Sequence, residues 1–224
     1  MKEVTALIPV KANSERVVSK NLRPFGDTSL FELKVKQIKE VRGFADVIVS
    51  SESEDVLRLA QSHGLGIHLR DPRLSTSDVP MSEVYSSIAR DITGEHIAWV
   101  NVTNPLAGPE VYRRALEEFS RMPSECDCLL SVFELREYIF AKGAPLNFPP
   151  SPWPKSQDLS GVYAMSFIIN ILRRVDMVKW GSTVGSNPYF FINDRVESSD
   201  VDYQIDFDFC EFVYNQRRNP KLKK

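Results

Sequence analysis

Short apolar runs alternate with helix-like patterns along the first half of this chain. Val4–Val10 is rich in aliphatic and β-branched residues and reads as a strand. Ser29–Val41 then places Leu30, Leu33, Ile38 and Val41 at helical spacings. Ala45–Ser51 predicts a second strand, with Ser51 and Glu54 as a capping box for the next helix and Gly64 as its stop. Gly66–Leu69 predicts a third strand. Met81–Ile92 predicts a helix with Val84, Tyr85, Ile88 and Ile92 on one side, and Ile97–Val102 a buried strand. Pro109 suits the first turn of a helix running to Arg121, and Cys128–Phe133 is the next strand.

After Glu134 the pattern breaks. Pro145, Pro149, Pro150, Pro152 and Pro154 exclude a regular helix across Glu134–Leu159, and the stretch is too long for a simple connector. A substrate lid, a dimer arm and a disordered loop all fit. Strands resume at Gly161–Ile168 and Tyr189–Asn193. Gln204–Arg217 predicts a closing helix, with Phe207, Phe209, Phe212 and Val213 available for packing. Such alternation implies right-handed crossovers and a mostly parallel sheet covered on both faces. The expected organisation is one domain over residues 1–224 with an excursion near 134–188. Sheets of this kind bind ligands at the carboxyl ends of their strands, which singles out the loops after Val10, Ser51 and Val102.

Composition narrows the chemistry. Hydrophobic residues make up 42% of 224 positions, enough for a real core. The net charge of −2 argues against general binding to nucleic acid, and Lys221, Lys223 and Lys224 read as a solvated tail. Cys126, Cys128 and Cys210 form no CxxC pair, and His63, His68 and His96 are scattered. A disulfide framework and a zinc or histidine metal site are therefore disfavoured. The first residues lack the apolar run of a signal peptide, and no stretch is long enough to cross a bilayer. A cytoplasmic protein without membrane contact is expected.

Two segments carry candidate chemistry. The first follows the first strand and offers the cations Lys11, Arg16 and Lys20 with Ser14 and Asn21 as neutral hydrogen-bonding groups. A triphosphate needs such a cluster, although by composition alone three cations in a loop are usually a solvated surface. It lacks the glycine spacing of a P-loop or a dinucleotide fingerprint. The second is Glu197–Phe207, where Asp200 and Asp202 stand at i and i+2, on one side of an extended segment. Two hard oxygen ligands suit Mg2+, while acids ahead of a helix also suit its dipole. Asp206 reads better as a capping acid.

These segments resemble the acylneuraminate cytidylyltransferase family, which includes the CMP-sialic acid synthetases. In the first loop Ile8, Pro9, Ser14, Lys20 and Asn21 match the family's signature, with Lys11 in place of an arginine and Glu15 in place of a lysine. Val49–Val56 and Val100–Leu106 resemble two further family loops, with Ala107 where arginine is common. Leu69–Leu74 resembles a third and nominates Arg70, with Ser82 as a further nucleotide contact. Asp200, Val201, Asp202, Asp206 and Phe207 match the family's closing acidic motif. Around Asp158–Tyr163 the match thins: Gly161 and Tyr163 are kept, Ser160 replaces an asparagine, and the preceding Phe148–Ser156 lacks an expected arginine.

The resemblance implies a three-layer α/β/α Rossmann-like nucleotidyltransferase fold whose excursion serves dimerisation or substrate binding, and a homodimer. It implies transfer of CMP from CTP to the anomeric hydroxyl of an acidic sugar, a nonulosonate or a related 2-keto-3-deoxy sugar acid, with release of pyrophosphate and Mg2+ as cofactor. Lys11, Arg16 and Lys20 would then act on the triphosphate. Ser14, Asn21, Arg70 and Ser82 would bind nucleotide, Asn101, Ser160 and Tyr163 the sugar, and Asp200 and Asp202 the metal. Two alternatives stand beside this: another acidic acceptor such as a phosphonate, or a catalytically silent nucleotide-binding homologue.

Overall fold

A computed structural model describes residues 2–12 and 17–219. In chain order the elements are β1 (Val4–Pro9), β2 (Pro24–Phe25), β3 (Thr28–Ser29), α1 (Leu30–Lys39), β4 (Asp46–Ser51), α2 (Glu54–Ser62), β5 (Gly66–Leu69) and, after a short 3-10 turn at Pro72–Ser75, α3 (Met81–Asp91). Then come β6 (His96–Val100), α4 (Pro109–Arg121), β7 (Cys128–Glu134), β8 (Phe140–Ala141), β9 (Ala144–Pro145), β10 (Tyr163–Arg173), α5 (Arg174–Trp180), β11 (Pro188–Ile192) and α6 (Gln204–Arg218).

Seven strands form one sheet in the order β11-β7-β10-β6-β1-β4-β5. Six point one way, and β10 runs antiparallel between β6 and β7. Strand alternation sorts the core onto two faces. Ala6 and Ile8 of β1 pack with Phe31 and Val35 of α1, Val56 of α2 and Tyr112 of α4. Leu7, between them, packs on the other face with Val84 and Ile88 of α3 and Met177 of α5. The result is the expected α/β/α layering. A third cluster joins α6 to the β2–β3 hairpin through Phe207, Cys210, Tyr214 and Phe25. Gly26 turns that hairpin at φ +58°, and a Cβ there would sit 2.8 Å from the Tyr214 ring, so glycine permits both the turn and the close approach.

Most predicted helices and strands appear with boundaries within a few residues, but the strand expected at Gly161–Ile168 runs on to Arg173, and α5 and the two short hairpins were not expected. The Ser51/Glu54 capping box does not form. Ser53 is the N-cap of α2, and Ser51 Oγ instead accepts from Ser53 N at 3.1 Å, because Ser51 still belongs to β4. At α1 the N-cap is Ser29, whose Oγ accepts from Glu32 N and donates to Glu32 Oε2. Within the 134–188 stretch, the β8–β9 hairpin and a 3-10 turn at Ser156–Asp158 lie outside the sheet, whereas β10 returns to its middle. Among the described residues no helix is long and apolar enough to cross a membrane.

Candidate functional site

Four strands deliver polar side chains to one edge of the sheet. Lys11 follows β1, Glu52 follows β4, Arg70 follows β5 and Asn101 follows β6. All sit at carboxyl ends, where parallel strands leave a crevice. A cleft of about 330 Å3 opens there. Its polar wall contains Lys11, Arg70, Asn101, Thr103, Asp200 and Asp202, and its other wall is apolar, with Leu74, Val84, Tyr85 and Trp99. Tyr85 and Trp99 meet edge to face at 4.7 Å. One aromatic wall opposite a charged one suits a ligand with a flat ring at one end and anionic groups at the other.

Glu52, which lies within the Val49–Val56 segment, ties these loops together. Its carboxylate accepts from Ala12 N at 2.9 Å, from Arg70 Nη2 at 2.5 Å and from Ser75 Oγ at 2.9 Å. Burial works against its charge, but the Arg70 guanidinium and the backbone N–H groups win and hold its carboxyl below the ordinary carboxylate range. Arg70 is 3% exposed and also donates to Val10 O at 3.1 Å. Its Nε has no hydrogen-bond partner among the described residues. The sequence signals for Glu52 were its place at the end of a strand and inside the family-like Val49–Val56 segment, and neither announced its bracing role.

The acidic segment is held from below. Val201 N donates to Thr103 O at 2.8 Å, and Lys20 Nζ donates to Val201 O and lies 4.0 Å from Asp202 Oδ1. Asp206 Oδ2 accepts from Asp202 N and Tyr203 N and closes the capping box of α6. The N-cap duty therefore falls to Asp206, while Asp200 and Asp202 face the cleft. Asn104 Nδ2 bridges Ser166 O and Ser199 O, and Asn104 O in turn accepts from Lys34 Nζ at 2.8 Å.

Lys34 is wholly buried, and its ammonium also donates to the Tyr112 hydroxyl. Burial lowers it from 10.5 to about 7, while burial raises the Tyr112 hydroxyl facing it. The folded-state value lies below the unfolded one. Between them the unfolded chain binds more protons, so stability rises as pH climbs from about 7 towards 10, by up to about 1.4 kcal/mol per pH unit. Lys34→Met is expected to flatten that rise. Urea melts at pH 7, 8 and 9 will measure it, and an unchanged slope would remove Lys34 as its source.

Of the remaining predicted site residues within the described part of the chain, Asn101 lines the cleft and Asn21, Ser82, Ser160 and Tyr163 do not. Asn21 is buried and donates from Nδ2 to Lys11 O at 2.9 Å, bracing the first loop. Asn101 uses both ends of its amide internally, accepting from Trp99 Nε1 and donating to Phe167 O. Ser82 lies on the first turn of α3 against Gly181, Ser160 is exposed, and Tyr163 packs on Phe190 at 5.2 Å; none of the three lines the cleft. Ser14 and Arg16 lie outside the described residues.

Among the described residues no group of three or more His, Cys, Asp or Glu stands ready for a metal. Asp200 and Asp202 nonetheless fit Mg2+, which takes one or two carboxylates and completes its shell with water and phosphate oxygens.

Known proteins resemble this chain in sequence and in fold. A cytidylyltransferase family model matches residues 5–147. The chain is 22% identical to the post-translational flagellin modification protein B of Campylobacter coli, over 97% of each chain. It is 21% identical to the CMP-N,N′-diacetyllegionaminic acid synthase of Campylobacter jejuni, over 99% of each. The solved structure of a CMP:2-keto-3-deoxy-manno-octonic acid synthetase complexed with CTP superposes with a TM-score of 0.68 at 13% identity, covering 96% of this chain and all of that one. The chain belongs to the cytidylyltransferase family.

Proposed function

We propose that this chain transfers CMP from CTP to the anomeric hydroxyl of an acidic sugar and releases pyrophosphate. One observation carries the reading: Lys11, Arg70, Asn101, Asp200 and Asp202, far apart in sequence, line a single cleft at the carboxyl edge of the sheet. The names of the relatives, which concern CMP-activated sugar acids, support the acceptor class. The acceptor oxygen attacks the α-phosphorus, a new P–O bond forms, the bond to the β-phosphate breaks, and the hydroxyl proton passes to water. Lys11 neutralises the phosphates, Arg70 contacts the nucleotide, and the aromatic wall receives the base. Asp200 and Asp202 are the residues that would hold Mg2+, which supplies charge neutralisation at the phosphates when bound. Lys20 and Asn21 hold these groups in place. The exposed Phe140, Leu146 and Trp153 outside the sheet support a homodimer built through that segment.

CTP with Mg2+ is expected to raise the melting temperature by about 5–10 °C at a concentration of about 100 Kd, more than UTP, ATP or GTP. A thermal-shift series over the four nucleotides measures it. Equal shifts from all four would defeat base selectivity. Absence of pyrophosphate release with every sugar acid tried, despite CTP binding, would defeat the transfer.

A further inference from the structure

The loop after β6 belongs to no helix or strand, yet four of its carbonyls in a row accept hydrogen bonds from other elements. Thr103 O accepts from Val201 N, Asn104 O from Lys34 Nζ, Pro105 O from Gln37 Nε2 and Leu106 O from Arg217 Nη1, each at 2.8 Å. The acidic segment, α1 and α6 thus meet on one stretch of backbone. Asn104 is fully buried, and its Nδ2 reaches Ser199 O at 3.2 Å and Ser166 O at 2.9 Å. Two bonds therefore tie this loop to residues 199–201, which carry Asp200 into the wall of the cleft.

Lys34 is the unexpected member of this set. Both of its hydrogen-bond partners among the described residues, Asn104 O and the Tyr112 hydroxyl, are uncharged. A buried cation without a counter-charge costs stability that an apolar side chain of similar length would not. Packing alone therefore argues against lysine at this position. Its bond to Asn104 O argues for it, because the same residue's amide holds Ser199 and its neighbour Thr103 holds Val201. Protonated or neutral, Nζ keeps a hydrogen for Asn104 O, so the tether survives titration of the amine. Gln37 lies one turn further along α1 and adds a second tether, at Pro105 O.

We propose that Lys34 is a positioning residue for the transfer reaction, its tether to Asn104 O fixing the loop that sets Asp200 and Asp202 in the cleft. The role rests on the CMP-transfer reading above. Lys34 does not line the cleft and acts through residues 103–106 and 199–201. Arg70 is held by Glu52 and Val10 O instead, so loosening the loop leaves the nucleotide contact there in place. What changes is the spread of positions open to the two acids, and a displacement of about 1 Å in a reacting constellation can cost roughly 100-fold in rate.

The test compares Lys34→Met with Val35→Ala, which removes core packing from the same helix and no tether. In the metal-free full chain, amide hydrogen exchange at residues 199–202 should be roughly 10-fold faster in Lys34→Met and unchanged in Val35→Ala. The kinetic arm uses CTP, Mg2+ and either 2-keto-3-deoxy-manno-octonic acid or N,N′-diacetyllegionaminic acid. There Lys34→Met should lower kcat by roughly 10- to 100-fold, raise the Mg2+ needed for half-maximal rate and leave the KM for CTP nearly unchanged. Asn104→Ala cuts the bond to Ser199, so adding Lys34→Met to it should cost less than in the native background. If Lys34→Met does not fold, Gln37→Leu, which removes the second tether, is read in its place. Unchanged exchange at 199–202, or a kcat loss matched by Val35→Ala, overturns the role and leaves CMP transfer standing. Fully multiplicative losses in the double variant overturn the route through Asn104. Faster exchange in Lys34→Met with no CMP conjugate from the unaltered protein upholds the tether and overturns the transfer.

Discussion

Replacing Asp200 or Asp202 with asparagine is expected to lower turnover by roughly 100- to 1,000-fold while leaving the melting temperature nearly unchanged. Each change keeps the size of the side chain and removes one anionic oxygen ligand. The stability cost is small because the cap of α6 is made by Asp206, not by either cleft-facing acid. Asp202 does lie 4.0 Å from Lys20, but its side chain is 42% exposed, and pairs so exposed contribute at most about 1 kcal/mol. The double variant should lose little more than the worse single one, since two ligands of one ion act as a unit. Raising Mg2+ should restore part of the single variants' turnover. Mg2+-dependent kinetics and melting curves on the same proteins decide it. Near-normal turnover with lowered stability would make the pair structural and remove the metal from this site.

Glu52→Ala is expected to cost about 3–5 kcal/mol of stability and to weaken CTP binding together. The carboxylate joins Ala12 of the first loop, Arg70 after β5 and Ser75 of the 3-10 turn. Its loss leaves the Arg70 guanidinium buried without its counter-charge. For a chain of this size the melting temperature should fall by roughly 10 °C. Acid sensitivity should change as well. A carboxyl held below its ordinary value contributes stability that is present above the unfolded value, near 4.5, and is lost as pH falls through the folded one. The variant should lack that part of the acid transition. Calorimetric titration with CTP and melts between pH 3 and 7 test both halves. Unaltered CTP affinity with a lowered melting temperature would confine Glu52 to the scaffold.

How much of this was legible beforehand depended on whether a residue's role is local. Pro109 at a helix start and the β-rich runs at Val4 and Cys128 announce their elements, because period and turn chemistry are written in neighbouring positions. Asp200 and Asp202 stood out by their spacing in the sequence, and the fold places both on the cleft. Glu52 was not, because its three partners come from residues 12, 70 and 75 and meet only in the folded sheet. Lys34 was invisible for a related reason. On a helix pattern a lysine reads as solvated, yet its ammonium finds Asn104 O and Tyr112 in the core. The Gly161–Ile168 pattern announced a strand but not its direction, since period two is the same for parallel and antiparallel pairing.

The reversed strand also dictates the order in which the molecule is completed as it leaves the ribosome. β6 and β7 are finished by residue 134, but neither can fill its facing edge until residues 163–173 emerge between them. Through that interval the nascent chain carries three open edges from the interior of its future sheet, one on β6 and both on β7, whose other partner β11 comes later, a state prone to wrong pairing. Asp200 and Asp202 follow later still, after β11. The wall of the cleft is therefore complete only when residue 202 has emerged, with α6 alone to follow, so no occupant of the finished cleft can guide the early folding of the chain.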